Sequence, residues 1–189
     1  MPHLLVALTA HGFGHVSLTA PVINALRRRI PELRLTLYTN LPRGLLANRL
    51  DGEFDLIPQA TDVGMLMKNA LEVDGAASSQ AYQRYHQDWE QAIAEEDRLL
   101  AAHAPDVVLA NVPYRILAAA ARAGIPAVAM CSLNWADIYR HFCGTLPGAA
   151  TLIEQMLAAY RNARAFLQPA PSMPMADLEN RITNAPMFW

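Results

Sequence analysis

Apolar side chains fill residues 4–9 (LLVALT) almost without a break. The run is short and shows no helical stripe, which predicts a strand buried on both faces. Residues 10–15 then carry Gly12 and Gly14, and from 17 to 30 the apolar positions Leu18, Val22, Ile23, Leu26 and Ile30 fall on one helical face. Pro21 predicts that this helix begins close by, where proline's missing N–H costs nothing, and Pro31 helps to stop it. Strand patterns recur at 33–39 (LRLTLYT), 54–58 (FDLIP), 105–111 (PDVVLAN) and 125–132 (IPAVAMCS). Helical patterns recur at 42–50, 77–103, 114–124 and 149–166, the third closed by Gly124. In the longest, Ala81, Tyr85, Trp89 and Leu99 face one side and EEDR (95–98) faces outward. Residues 59–76 hold no firm period and read as loop with room for one short helix. The tail from Gln168 is proline-rich and reads as irregular.

Strand and helix alternating about five times predicts parallel strands joined by crossover helices. The expected fold is a three-layer, Rossmann-like α/β domain over residues 1–168, with 169–189 as a tail or the start of an interdomain linker. A composition of 53% hydrophobic and 17% charged residues agrees with doubly buried strands. The net charge of −2 offers no basic footprint for nucleic acid. Cys131 and Cys143 make neither a disulfide framework nor a Cys-x-x-Cys pair, so a reducing cytoplasm is the expected setting. The N-terminus lacks the basic start of a signal peptide, and no window approaches the roughly 18 apolar residues of a membrane span.

The loop at 10–15 falls beyond the carboxyl end of the first strand, where such sheets bind ligands. Gly12-Phe13-Gly14 matches the start of a dinucleotide fingerprint, but Ser17 takes the third glycine's place. The second strand ends in Thr39-Asn40, with no acid for a ribose hydroxyl. A P-loop Gly-Lys-Ser/Thr is absent. His15 stands where loop meets helix. An imidazole with an ordinary pKa of about 6.5 can take a proton from an attacking hydroxyl, or it can simply cap the helix. His11 and His15 lack a nearby acid or thiol to complete a metal set. No cofactor is implied.

Residues 9–29, TAHGFGHVSLTAPVINALRRR, resemble the first β-loop-α unit of GT-B glycosyltransferases. They are most similar to the "GHGFGH" type also found at the front of L-arabinokinase. Residues 106–142, with AGIP leading into NWADIY, are similar to the same region, so the resemblance covers roughly 3–142. It implies an acceptor-binding N-terminal half of a two-domain enzyme, with a sugar or lipid-linked acceptor. The nucleotide-sugar donor would bind a second domain or partner subunit. It further implies that His15 deprotonates the acceptor, oriented by an Asp late in a later strand. This chain has Asn111 there, which can hydrogen-bond but cannot stabilise an imidazolium as a carboxylate would. A second glycine-rich unit and an HGG segment are not found, so the chain reads as a fragment, one subunit of a split transferase, or a non-catalytic sugar-binding or regulatory domain related to the N-terminal region of sugar kinases.

Further candidates follow. His11, Gly12, Phe13 and Gly14 would open the cleft, and Ser132, Asn134 and Trp135 would line the acceptor side. Trp135 is either a sugar platform or a gap filler, and Asp137 can cap a helix. Tyr82, Tyr85 and Trp89 suit packing of the long helix. Arg27, Arg28 and Arg29 complement a helix dipole and also allow peripheral contact with anionic lipid.

Overall fold

A computed structural model describes residues 1–185. Seven parallel strands form one sheet in the order β3-β2-β1-β4-β5-β6-β7. They are β1 (His3–Leu8), β2 (Arg34–Tyr38), β3 (Asp55–Ile57), β4 (Val107–Asn111), β5 (Ala127–Met130), β6 (Ala165–Pro169) and β7 (Arg181–Ala185). The helices between them are α1 (Gly14–Arg29), α2 (Arg43–Ala47), α3 (Gly75–His86), α4 (Trp89–His103), α5 (Arg115–Arg122), α6 (Trp135–Cys143) and α7 (Ala149–Arg161). Alternation along β1 sends Leu4, Val6 and Leu8 against Val16, Ala20 and Ile23 of α1. Leu5 and Ala7 point the other way, into a larger core with α3 to α7. The expected Rossmann-like α/β fold with a parallel sheet is the one observed.

Several element readings are corrected. α1 starts at Gly14, so Pro21 lies well inside the helix, where it leaves the Ser17 carbonyl without its usual N–H partner. Residues 77–103 are two helices, broken at Gln87 and Asp88. The buried positions Tyr82, His86, Ile93, Glu96 and Leu100 keep one helical phase across the break, which is why periodicity could not reveal it. Tyr85, Trp89 and Leu99 are only half-buried, and Glu96, expected outside, is buried. The last predicted helix ends at Arg161, and residues 165–169 form β6. Within the described part of the tail, Arg181–Ala185 pairs with β6, so this segment is not irregular. The region 59–76 holds no separate short helix, only a bridge between Met67 and Val73, and its last two residues open α3. Residues 135–143, without a helical reading in the sequence, form α6. Among the described residues no helix is long and apolar enough to cross a membrane.

Candidate functional site

The sheet reverses its direction of growth between β1 and β4, and the loops after these strands diverge to leave a crevice. A cavity of about 350 Å³ lies at this edge of the sheet, bounded by His11, Gly14, His15 and Leu18 on one side. Cys131, Ser132 and Leu133 after β5, with Pro169, Ala170 and Pro171 after β6, bound the other. Gly12 has φ +81°, a conformation that favours glycine, and a Cβ at Gly12 or Gly14 would meet nothing within 4 Å. The glycines therefore leave the loop backbone open. α1 begins without a side-chain cap, so its first-turn N–H groups are not consumed by the protein's own side chains.

His15 is half-buried, and its ring is held from behind. Its Nδ1 lies 2.9 Å from Asn111 Oδ1, and Asn111 is fully buried. The Asn111 Nδ2 donates to Thr19 Oγ1 at 2.7 Å and to the His15 carbonyl at 3.3 Å, while the Thr19 hydroxyl donates to that same carbonyl. A carbonyl can only accept, so the amide nitrogen must be the end that faces it. Oδ1 then faces His15, and the neutral ring carries its proton on Nδ1. Its Nε2 is left as the basic nitrogen, with no side-chain or backbone partner among the described residues. Asn111 thus orients the imidazole rather than meeting a ligand directly. Cys131 Sγ lies 3.7 Å from the same Nδ1, its thiol pushed up to about 11 by burial, so it stays neutral.

A residue the sequence reading missed completes the cluster. Asp62, in the loop between β3 and α3, accepts from Thr9 Oγ1 at 2.7 Å and from Trp135 Nε1 at 2.7 Å. Its Oδ1 lies 3.5 Å from His11 Nε2. Burial pushes this carboxyl upward, and the Thr9 hydroxyl, the two imidazoles and the indole N–H oppose that rise. A usable signal existed: TDVG (61–64) follows the third strand pattern and therefore falls on the same ligand edge as the glycine loop.

The other expected residues separate. His11, Gly14, His15 and Ser132 reach the cavity. Phe13 is exposed at the N-cap position of α1 and does not line it. Asn134 is fully buried: its Oδ1 accepts from Asp137 N at 2.8 Å and its Nδ2 donates to Asp137 Oδ2 at 2.8 Å. The expectation that it bonds an acceptor hydroxyl is replaced by a helix cap for α6. Trp135 is likewise buried, with its N–H spent on Asp62 and its ring edge-on to His11 at 5.7 Å. It packs beside the imidazoles and is not an open sugar platform. Tyr82 is buried and Trp89 stacks on His86 at 4.9 Å, so that group is packing. Arg27 donates to the Asp51 and Glu53 carbonyls, and the triplet sits in the last turn of α1, about 14 Å or more along the helix from Leu18 at the cavity. Among the described residues, no three His, Cys, Asp or Glu side chains are grouped to hold a metal.

Comparison with solved structures bears on the fold. MurG of Acinetobacter baumannii superposes with a TM-score of 0.51 at 16% identity, over 96% of this chain and 45% of that one. UGT2 of Phytolacca americana, complexed with UDP-2-fluoro-glucose and pterostilbene, gives 0.51 at 12% identity, over 89% and 48%. The fold is a Rossmann-like domain of the GT-B kind. The chain spans less than half the length of either protein. No family model matches the sequence, and no curated protein matches it.

Proposed function

We propose that this chain is the acceptor-side half of a GT-B-like glycosyltransferase and works with a donor-binding half on a further domain or partner subunit. The observation that carries this reading is the fixed tautomer of His15, whose unprotonated Nε2 belongs to a ring on the wall of an open crevice. A sugar or lipid-linked acceptor hydroxyl bound there gives its proton to Nε2 as its oxygen attacks the anomeric carbon of a nucleotide-sugar. The bond from that carbon to the nucleotide diphosphate breaks, and the electron pair leaves with the diphosphate. The uncapped start of α1 favours the departing negative charge.

Two measurements test it. The purified 189-residue chain alone should turn over no nucleotide-sugar, and robust transfer would refute the division into halves. In the assembled enzyme His15→Ala should lower kcat by about 10²–10⁴-fold with acceptor binding retained. An unchanged kcat refutes the base.

The neutrality of Asn111 favours one second reading, a non-catalytic sugar-binding module. In that case His15→Ala weakens sugar binding in proportion to any loss of function.

A further inference from the structure

Asp62 is an unusual residue to find beneath this site, since its side chain is 2% exposed and a buried carboxylate is costly unless donors surround it. Here they do. The Thr9 hydroxyl reaches Oδ1 and the Trp135 indole reaches Oδ2, both at 2.7 Å, and His11 Nε2 stands 3.5 Å from Oδ1. An indole N–H has no acceptor capacity, so one oxygen is committed to receiving a hydrogen bond. The loop does not need an acid for its own shape. Gly64 with φ +64° turns it, Thr61 Oγ1 anchors it on the Leu8 carbonyl, and Tyr85 bonds the Thr61 carbonyl.

The same loop also seats His11. A Cβ on Gly64 would lie 2.5 Å from the His11 ring, so the imidazole rests directly on glycine backbone. Trp135, held by Asp62, neighbours both rings, with centroids 5.7 Å from His11 and 6.5 Å from His15. Asp62 does not line the cavity. Other ionisable groups facing Asp62 are Tyr82 and Tyr85 of α3, Tyr160 of α7 and Cys131 after β5, and burial pushes each of these upward, into the neutral form. The acid of the cluster, ringed by the Thr9 hydroxyl and the Trp135 indole N–H, is therefore Asp62, and the imidazoles beside it are His11 and His15.

We infer that Asp62 is a positioning residue that supplies the negative charge for both imidazoles of the cavity, a task the neutral amide of Asn111 cannot perform. Its catalytic meaning rests on the proposed role of His15, but the electrostatic link stands without it. A proton taken by His15 creates a cation beside an amide, a neutral thiol and an indole. The charge that balances it lies behind Trp135, out of reach of the substrate. Asp62 lies off the path of the proton that His15 takes, since it does not line the cavity.

The test is nuclear magnetic resonance titration of the imidazoles in the 189-residue chain, comparing the parent with Asp62→Asn. The amide keeps the size of the side chain and removes the charge. Removing the charge should move the His11 midpoint to lower pH than in the parent, and the His15 midpoint the same way by less. Midpoints that stay in place in a folded variant overturn the inference. Should Asp62→Asn fail to fold, His11→Gln replaces it, because the coupling is reciprocal: the Asp62 carboxyl midpoint must then rise. An unmoved carboxyl overturns the inference equally. In the assembled enzyme Asp62→Asn should lower kcat more than it changes KM and shift the acid limb of the rate profile to lower pH. Loss of sugar transfer from every form would remove the transferase reading yet leave the titration result to decide this one.

Discussion

Replacing Asn111 by alanine puts the orienting network to a quantitative test. The side chain is fully buried and makes three hydrogen bonds, with Nδ1 of His15 at 2.9 Å, Thr19 Oγ1 at 2.7 Å and the His15 carbonyl at 3.3 Å. A typical neutral bond contributes about 0.5–1.5 kcal/mol net, and a buried group left without a partner costs about 1–3 kcal/mol. Two of the three partners are not stranded. The His15 carbonyl keeps the Thr19 hydroxyl, and Nδ1 of a half-buried ring can find water through the cavity. The total therefore sits near 2–3 kcal/mol, roughly, which for a chain of this length lowers Tm by about 4–12 °C.

Asn111→Asp sharpens the test. It retains an acceptor for His15 but turns the donor toward Thr19 and the carbonyl into an anion facing an acceptor. At neutral pH it should cost at least as much as alanine, and acidification should restore part of the loss as the carboxyl regains a proton to donate. Differential scanning calorimetry of parent, Asn111→Ala and Asn111→Asp across mildly acidic to neutral pH reads all of this. An alanine cost under about 0.5 kcal/mol, or an aspartate variant as stable as the parent at neutral pH, refutes the network and with it the assigned tautomer.

Gly64→Ala forces an L-residue into φ +64° and drives a methyl into the His11 ring; it should cost about 1–2 kcal/mol and displace the His11 resonances, and an unshifted His11 spectrum refutes the seating. Glu96 is raised to about 7, mainly by burial, so its stability contribution is complete below about 4.5 and is lost as pH rises through 7. Glu96→Gln should therefore gain up to about 3 kcal/mol at pH 8 by urea denaturation, and a variant curve parallel to the parent's between pH 5 and 8 refutes this. His86, lowered to about 4 chiefly by burial, runs the other way: its contribution is complete above about 6.5 and is lost as pH falls through 4. Its imidazole resonance should show no titration near pH 6.5, and an ordinary midpoint there refutes the assignment.

The sheet was legible because buried parallel strands announce themselves as apolar runs: β4 and β5 fall inside the windows that PDVVLAN and IPAVAMCS marked, and β1 starts one residue ahead of LLVALT. β6 was not, since AFLQP mixes a polar residue and a proline into a short strand only three residues after a helix. The glycine loop and His15 were legible from position alone. Asp62 was not, because what makes it part of the site is a set of contacts from residues 53 and 73 positions away in sequence. Trp135 was half legible: the sequence put an aromatic at the ligand edge, but whether its face is open depends on which acceptor its N–H finds. That acceptor was the unseen carboxylate.

The two residues behind the histidines divide a task by what surrounds each. Position 111 faces a ring N–H, a hydroxyl oxygen and a carbonyl, so it must accept on one side and donate on the other. An amide meets both demands and a carboxylate meets one. Position 62 faces a hydroxyl, an indole N–H and an imidazole, donors in every direction, where a carboxylate is satisfied and an amide would turn its own N–H against one of them. Exchanging the two side chains would therefore frustrate both sites, even though the composition of the cluster stayed the same. Orientation and charge, which a single aspartate beside His15 would combine, are separated here into Asn111 and Asp62. The separation lets the carboxylate serve His11 as well as His15, because it sits beneath the loop that carries both.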